Sequence, residues 1–457
     1  MAVTDTTPPS APALPWHLRG NFAPVTDEIE AVDLPVTGSL PAELDGLFVR
    51  NGANPRSGTS PHWFMGDGML HGVRIEHGNV RWYRNRWVRT RPFGGADRMT
   101  PENMMDHTIS LANTHVLAHA GRLLCLEEGS FPTQVDLGLD TVGTLDFGGK
   151  LTTAFTAHPK LCPETGELLA FGYGFAEPYL TYLRVSAAGD LTQSTPITVP
   201  GPTMMHDFAA TRNHVIFLDL PVVFDLDRAI AGDMPYGWSD TYGARMGVMP
   251  RNGTDDDVRW FDVDPCYVFH TMNAFEDEQG RVVVDGGRHA SMWKDSASDF
   301  EPCHLWRWTF DPATGKVTET QLDDGSHAFP RVDDRRAGLP YRYGYAVLGR
   351  DPLDRSMDGD QVLVKYDLRT GERQLHDPGR GRMCGEPVFV PAAGSASEDD
   401  GYVMAYVYDK AEDRSAFMVL GAQDFTGSAV AEVPLPRRIP HGFHGSWVPT
   451  EAVGGTA

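Results

Sequence analysis

The chain has no excess of basic residues, few cysteines and no long apolar run, and each shortage argues against a class of function. Only 39 Lys+Arg stand against 62 Asp+Glu, a formal net charge of −23. Such a surface repels polyanions and no basic cluster offsets it, which argues against nucleic acid as a partner. The five cysteines, Cys125, Cys162, Cys266, Cys303 and Cys384, are odd in number and lack CxxC spacing. That suits reduced thiols in a cytosol, not a disulfide framework or a structural zinc site. No segment reaches the roughly 18 uninterrupted apolar residues of a membrane-spanning helix. The opening MAVTDTTPPSAPALPWHLRG has neither a basic nor an apolar region, so 1–15 reads as a disordered leader and not a signal peptide.

Long amphipathic helices are also missing. What is there is short, β-branched or aromatic, and partly alternating: RLLCLEEG, HVIFLDLPVVF, RVVVDGG, HLWRWTFD, QVLVKYDL and YVMAYVYD. Between these runs the same turn chemistry recurs, in CPETGEL, DPATGKV, DLRTGER, DEQGRVV and AAGDL. Asp, Pro or Glu enters each turn and Gly sits where a positive φ closes an antiparallel hairpin. A chain of hairpins can form a string of sandwiches or a β-propeller. The absence of a Pro/Ser/Gly-rich linker favours one propeller domain over 16–450, with a tail at 451–457. One stretch, DLPVVFDLDRAIAGDMPYGW at 219–238, joins an apolar run to a loop. It reads as a buried strand with its connection, with peripheral membrane contact as the alternative.

The 17 histidines divide by context. His17, His62, His71, His77, His107, His115, His119, His289 and His376 lie in polar or turn-like surroundings and need no special role. His158 in FTAHPK, His206 in TMMHDFAATRN, His270 in CYVFHTMNAFED and His444 in IPHGFHGSW each sit beside aromatic or Met residues at the edge of a strand-like run. They are too far apart for a local metal motif. They meet only if separate blades point them at one axis.

Those four motifs, in that order, together with LFVRNGANP, WFMGDGMLHGV and GEPVFVP, resemble the carotenoid cleavage oxygenase family over about Gly38 to Pro449. The resemblance implies an all-β, seven-bladed propeller with loops capping one face, and a non-haem Fe(II) on the axis held by His158, His206, His270 and His444. His441, three residues before His444, is then not a ligand. Four neutral imidazoles suit Fe(II) and leave room for O2 as cosubstrate, with no organic cosubstrate. The implied reaction is oxidative scission of a C=C bond to two carbonyl products.

In the family three glutamates orient the ligands. Glu128 in LEEGSFP and Glu386 in GEPVFVP match two, but the third position, in SHAFPRVDD, is Ala328. Water, a carbonyl or His327 then has to support one ligand, His270 by this alignment. Thr114 in LANTHV matches a threonine whose methyl crowds the iron. Members that ionise phenolic stilbenes use a lysine and a tyrosine; here those positions hold Glu127 and Trp87. A carboxylate repels a phenolate, so the expected substrate is an apolar carotenoid or apocarotenoid, driven into an aromatic tunnel by burial worth roughly 25 cal/mol per Å2. The alternatives are an aryl olefin of the stilbene or isoeugenol type, a non-catalytic propeller that binds an apolar ligand, and the isomerase outcome of a vertebrate branch. No obligate protein partner is expected, and the location expected is cytoplasmic.

Overall fold

A computed structural model describes residues 14–91, 105–231, 233–294, 296, 300–351, 354 and 356–453. The expected leader lies outside them apart from Leu14 and Pro15. Of the expected tail only 451–453 are described, beginning within the 3-10 turn Thr450–Ala452.

Seven sheets stand as the blades of a β-propeller, and a two-stranded hairpin, Val222–Phe224 with Tyr236–Trp238, projects beside them. All six strand-like runs quoted above are strands here. The glycines of the five recurrent turns, Gly166, Gly189, Gly280, Gly315 and Gly371, all have positive φ. The acidic residue at the entry does its share: Asp311 Oδ1 accepts from the amides of Ala313 (2.8 Å) and Thr314 (3.2 Å). Among the described residues the only α-helix is Leu226–Ala231.

The ring closes by pairing the two ends of the chain. Gly46–Ala53 is bonded antiparallel to Gly445–Pro449, with Arg50 opposite Gly445, and Thr37–Gly38 to Ala431–Pro434. Blades pack face to face through large side chains. One core joins Tyr182, Phe217 and Trp308 from three successive sheets, each almost fully buried. Burying a side chain of this kind contributes about 1.5–3 kcal/mol.

The blade edges at the axis place the site. His158 lies just before the strand Lys160–Leu161, His206 before Ala209–Ala210, His270 before Thr271–Glu276, His444 before Gly445–Pro449 and Thr114 before His115–His119. Each of these strands ends its sheet on the axial side. The same step in different blades thus delivers residues far apart in sequence to one point.

Candidate metal centre

Four imidazoles converge there. The ligand nitrogens of His158, His206, His270 and His444 all lie within 4.8 Å of one another. His158 Nε2 and His206 Nε2 are 3.0 Å apart, and the ring of His158 is 4.5 Å from that of His444 and 5.0 Å from that of His270. His270 Nε2 is buried with no hydrogen-bond partner among the described residues. A buried orphan nitrogen costs free energy, and one facing three further imidazoles is satisfied by a cation. The donor set therefore fits a borderline-soft divalent metal.

Burial, and then the neighbouring His444, hold His158 and His270 well below the ordinary histidine range. The neutral imidazole is the form that ligates. The same burial sets a stability profile. A histidine whose folded pKa is depressed binds fewer protons folded than unfolded, so its share of stability is complete above about pH 6.5 and lost as pH falls. Each buried ring of this kind, such as His158, should cost about 1.4 kcal/mol per pH unit below that point. Tm of the metal-free protein should thus start to fall near pH 6.5; a Tm flat down to pH 5 would contradict it.

Two of the four rings are oriented by carboxylates. His206 Nδ1–H donates to Glu128 Oε2 (2.6 Å) and His444 Nδ1–H to Glu386 Oε1 (2.8 Å). Glu386 also accepts from Arg331 Nη1 (3.0 Å) and from the Gly445 amide (2.8 Å). Burial alone would raise its pKa, but Arg331 and His444 overcome that and bring it down to about 2. Glycine is required beside His444: a Cβ on Gly442 would sit 2.9 Å from the Arg50 guanidinium carbon and one on Gly445 2.8 Å from Val49 O.

A second network ties the ligand segments to one another. Lys160 Nζ pairs with the buried Asp207 (2.7 Å), whose other oxygen accepts from the Thr271 amide and hydroxyl, both at 2.8 Å. These residues adjoin His158, His206 and His270 in sequence. Their side chains had no distinguishing mark in the sequence, although FTAHPK, MHDF and FHTM contain all three of them.

His270 has no carboxylate partner among the described residues. Ala328 is exposed on the wall of a cavity of about 500 Å3 that reaches His206, His270 and His444. His327 does not substitute for the missing carboxylate, since both its ring nitrogens are buried without a partner among the described residues. Phe329 instead packs on His270 (5.9 Å) and His444 (5.4 Å).

Thr114 lines the cavity with its hydroxyl turned onto Asn113 Oδ1 (2.9 Å). Glu127 lines it too, its carboxylate accepting from the Gly129 amide (3.1 Å) and Ser130 Oγ (2.8 Å). Trp87 is not among the lining residues; its indole N–H donates to Asn54 O (3.0 Å), just past the strand Gly46–Ala53 of its own blade. His441 stacks on Trp63 (5.8 Å) and stays outside the four-nitrogen group. His115, read as an ordinary histidine, stands 5.4 Å from the ring of His444. It donates through Nδ1 to Ala157 O (2.9 Å), and burial lowers its pKa to about 3. Its position after Thr114 in LANTHV was the available signal.

The family model described as retinal pigment epithelial membrane protein matches residues 22–449. The chain belongs to the carotenoid cleavage oxygenase family. A carotenoid cleavage oxygenase of Mycobacterium tuberculosis is 38% identical to it over 97% of this chain and 100% of that protein. A carotenoid 9,10(9',10')-cleavage dioxygenase 1 of Arabidopsis thaliana is 36% identical over 96% of this chain and 91% of that one. The crystal structure of Pseudomonas brassicacearum lignostilbene dioxygenase superposes with a TM-score of 0.85 at 34% identity, covering 96% of this chain and 100% of that one. This oxygenase thus has relatives named for polyene and for aryl-olefin cleavage.

Proposed function

We propose that this oxygenase is an Fe(II)-dependent dioxygenase that cleaves a C=C bond of a carotenoid or apocarotenoid. The observation that carries the reading is the convergence of four imidazoles, three of them buried and His270 half-buried, beneath a cavity walled by Trp63, Phe64, Phe269, Phe300 and Phe443. His158, His206, His270 and His444 would hold the iron, and Glu128 and Glu386 fix the rings of His206 and His444 by accepting their Nδ1 protons. A ferrous ion held by neutral nitrogens supplies a centre that activates O2 towards an olefin. The chain's own part is to bind, orient and keep water away. The aromatic wall takes up the apolar substrate, and Thr114, its hydroxyl held by Asn113, offers its methyl as a steric stop near the ligands.

The side of the cavity next to 222–238 is apolar. Phe175 stacks on Phe224 (5.1 Å), Phe175 and Tyr236 line the cavity, and beside them Leu226 and Ile230 are 61% and 76% exposed. We read 219–238 as the surface by which the enzyme touches a membrane to collect its substrate. No helix among the described residues is long and apolar enough to cross one.

An aryl olefin is the second reading, favoured by the close match to the lignostilbene dioxygenase structure. Oxygen uptake with β-apocarotenals, stilbenes and isoeugenol side by side separates the two. Purified protein should hold about one iron per chain, chelation should abolish uptake and Fe(II) should restore it. Stoichiometric zinc in active protein, or no uptake with any olefin, would overturn the proposal.

A further inference from the structure

Away from the iron ligands the cavity wall carries a second group of polar side chains, gathered around Cys303. Cys303 faces His289 across an antiparallel strand pair, His304 follows it, and His327 stands close by. A Cβ placed on Gly287 would be 2.4 Å from Cys303 Sγ and 3.0 Å from His327 Cε1. All four residues line the cavity. None is used by the metal centre.

Their hydrogen bonds define what the wall offers. His289 Nδ1–H donates to Glu301 O (2.7 Å) and His304 Nδ1–H to Gly325 O (3.3 Å). A carbonyl only accepts, so in the neutral ring the proton is on Nδ1 and Nε2 keeps its lone pair. His327 is 3% exposed, and neither of its nitrogens has a partner among the described residues. Burial lowers both His289 and His327 to about 4, so each is neutral near pH 7. A buried donor and acceptor left unmade on one ring cost about 1–3 kcal/mol each. Such a group points to a partner that is not part of the chain.

The partner's chemistry follows. A neutral His327 offers one N–H and one lone pair, and His289 and His304 offer lone pairs. An alcohol or phenol O–H can accept from the His327 N–H and donate to one of the neighbouring lone pairs. A carboxylate finds one donor, and an ether or hydrocarbon donates nothing. The polar wall also adjoins the aromatic one: His289 meets Phe269 edge-on at 5.6 Å, and Phe269 packs on Phe300 at 6.2 Å. The fitting ligand has an apolar body and a hydroxyl end.

We propose that His327, with His289 and His304 beside it, is a hydroxyl-recognising subsite that makes this oxygenase selective for hydroxylated olefins. The inference deepens the preceding reading and rests on it, because it places the olefin in the same cavity.

The test is equilibrium binding without oxygen to the iron-loaded protein, using two probe pairs. One pair is a ring-hydroxylated apocarotenal and its deoxy analogue; the other is para-hydroxystilbene and its methyl ether. The hydroxyl member of at least one pair should bind about tenfold tighter, the worth of one well-made hydrogen bond, and the pair that shows it identifies the source. His327→Phe should bring the two members together, and His327→Asn should restore part of the difference. Iron content reports that each variant is folded. Equal binding within both pairs by the unsubstituted enzyme, or a preference that survives His327→Phe, overturns the proposal. Oxygen uptake is read separately: cleavage of the deoxy compounds with no binding preference sinks this inference alone, whereas no uptake with any probe sinks the oxygenase reading.

Discussion

His444→Ala should strip the iron and lower turnover by at least about a hundredfold, whereas His441→Ala should keep its iron. Altering a group that merely orients a ligand typically costs ten- to a hundredfold in affinity or activity, and removing the ligand itself costs more. The two histidines are three apart in IPHGFHGSW and equally hidden, at 5% and 7% exposure. Truncating either leaves a comparable hole, so a packing cost of about 2–5 kcal/mol applies to both and cancels in the comparison. Their surroundings differ. His444 meets His158 at 4.5 Å and His270 at 4.7 Å, while His441 packs between Phe22 (4.9 Å) and Trp63 (5.8 Å). In His444→Ala the Glu386 carboxylate retains Arg331 and the Gly445 amide, so it is not left buried and unpaired. Metal analysis and oxygen uptake on both variants decide the matter. Equal loss of iron would mean that the fourth ligand has been placed wrongly.

Turn chemistry made the fold legible before any long-range contact was known. Gly166, Gly315 and Gly371 close their hairpins locally, and a hairpin needs only its own residues to be recognised. The four histidines were visible for a different reason. Each stands in a short motif at the entry to an axial strand, and the motifs match a family in order. By pattern alone, separations from 48 residues upward gave no reason for them to meet. What stayed hidden is what the tertiary fold creates. Lys160, Asp207 and Thr271 become one network only when three blades stand side by side. His115 and His289 look ordinary in sequence because their neighbours are polar, yet both are held neutral within a packed interior. Trp87 was aligned with a substrate-binding tyrosine, but its strand, Asn79–Trp87, lies away from the axial edge of its sheet. Alignment preserves order along a chain and says little about which face of a strand meets a cavity.

Ala328→Glu should raise iron affinity about tenfold, the lower end of what an outer carboxylate is worth to a metal site. His206 and His444 each donate Nδ1–H to a glutamate, and His270 does not. The side chain at 328 is exposed on the cavity wall, on the strand whose next residue, Phe329, packs against the His270 ring at 5.9 Å. A glutamate there has open space to extend into and enough solvation to ionise, so it can accept the His270 proton without the penalty of a fully buried charge. His327 is not bonded to His270, and His327→Ala should therefore leave iron affinity within about twofold, well below the loss expected for an outer-shell partner. The gain carries a cost in the same cavity. The added side chain narrows the space beside His206, His270 and His444, so KM for a bulky olefin should rise while iron is held more tightly. Competition with a chelator measures the first effect and steady-state oxygen uptake the second. If iron affinity fell in Ala328→Glu and also in His327→Ala, His327 would be the support for His270 after all. If neither substitution moved it, position 328 would not face the metal ligands, and the alignment of SHAFPRVDD with the family's glutamate motif would be wrong.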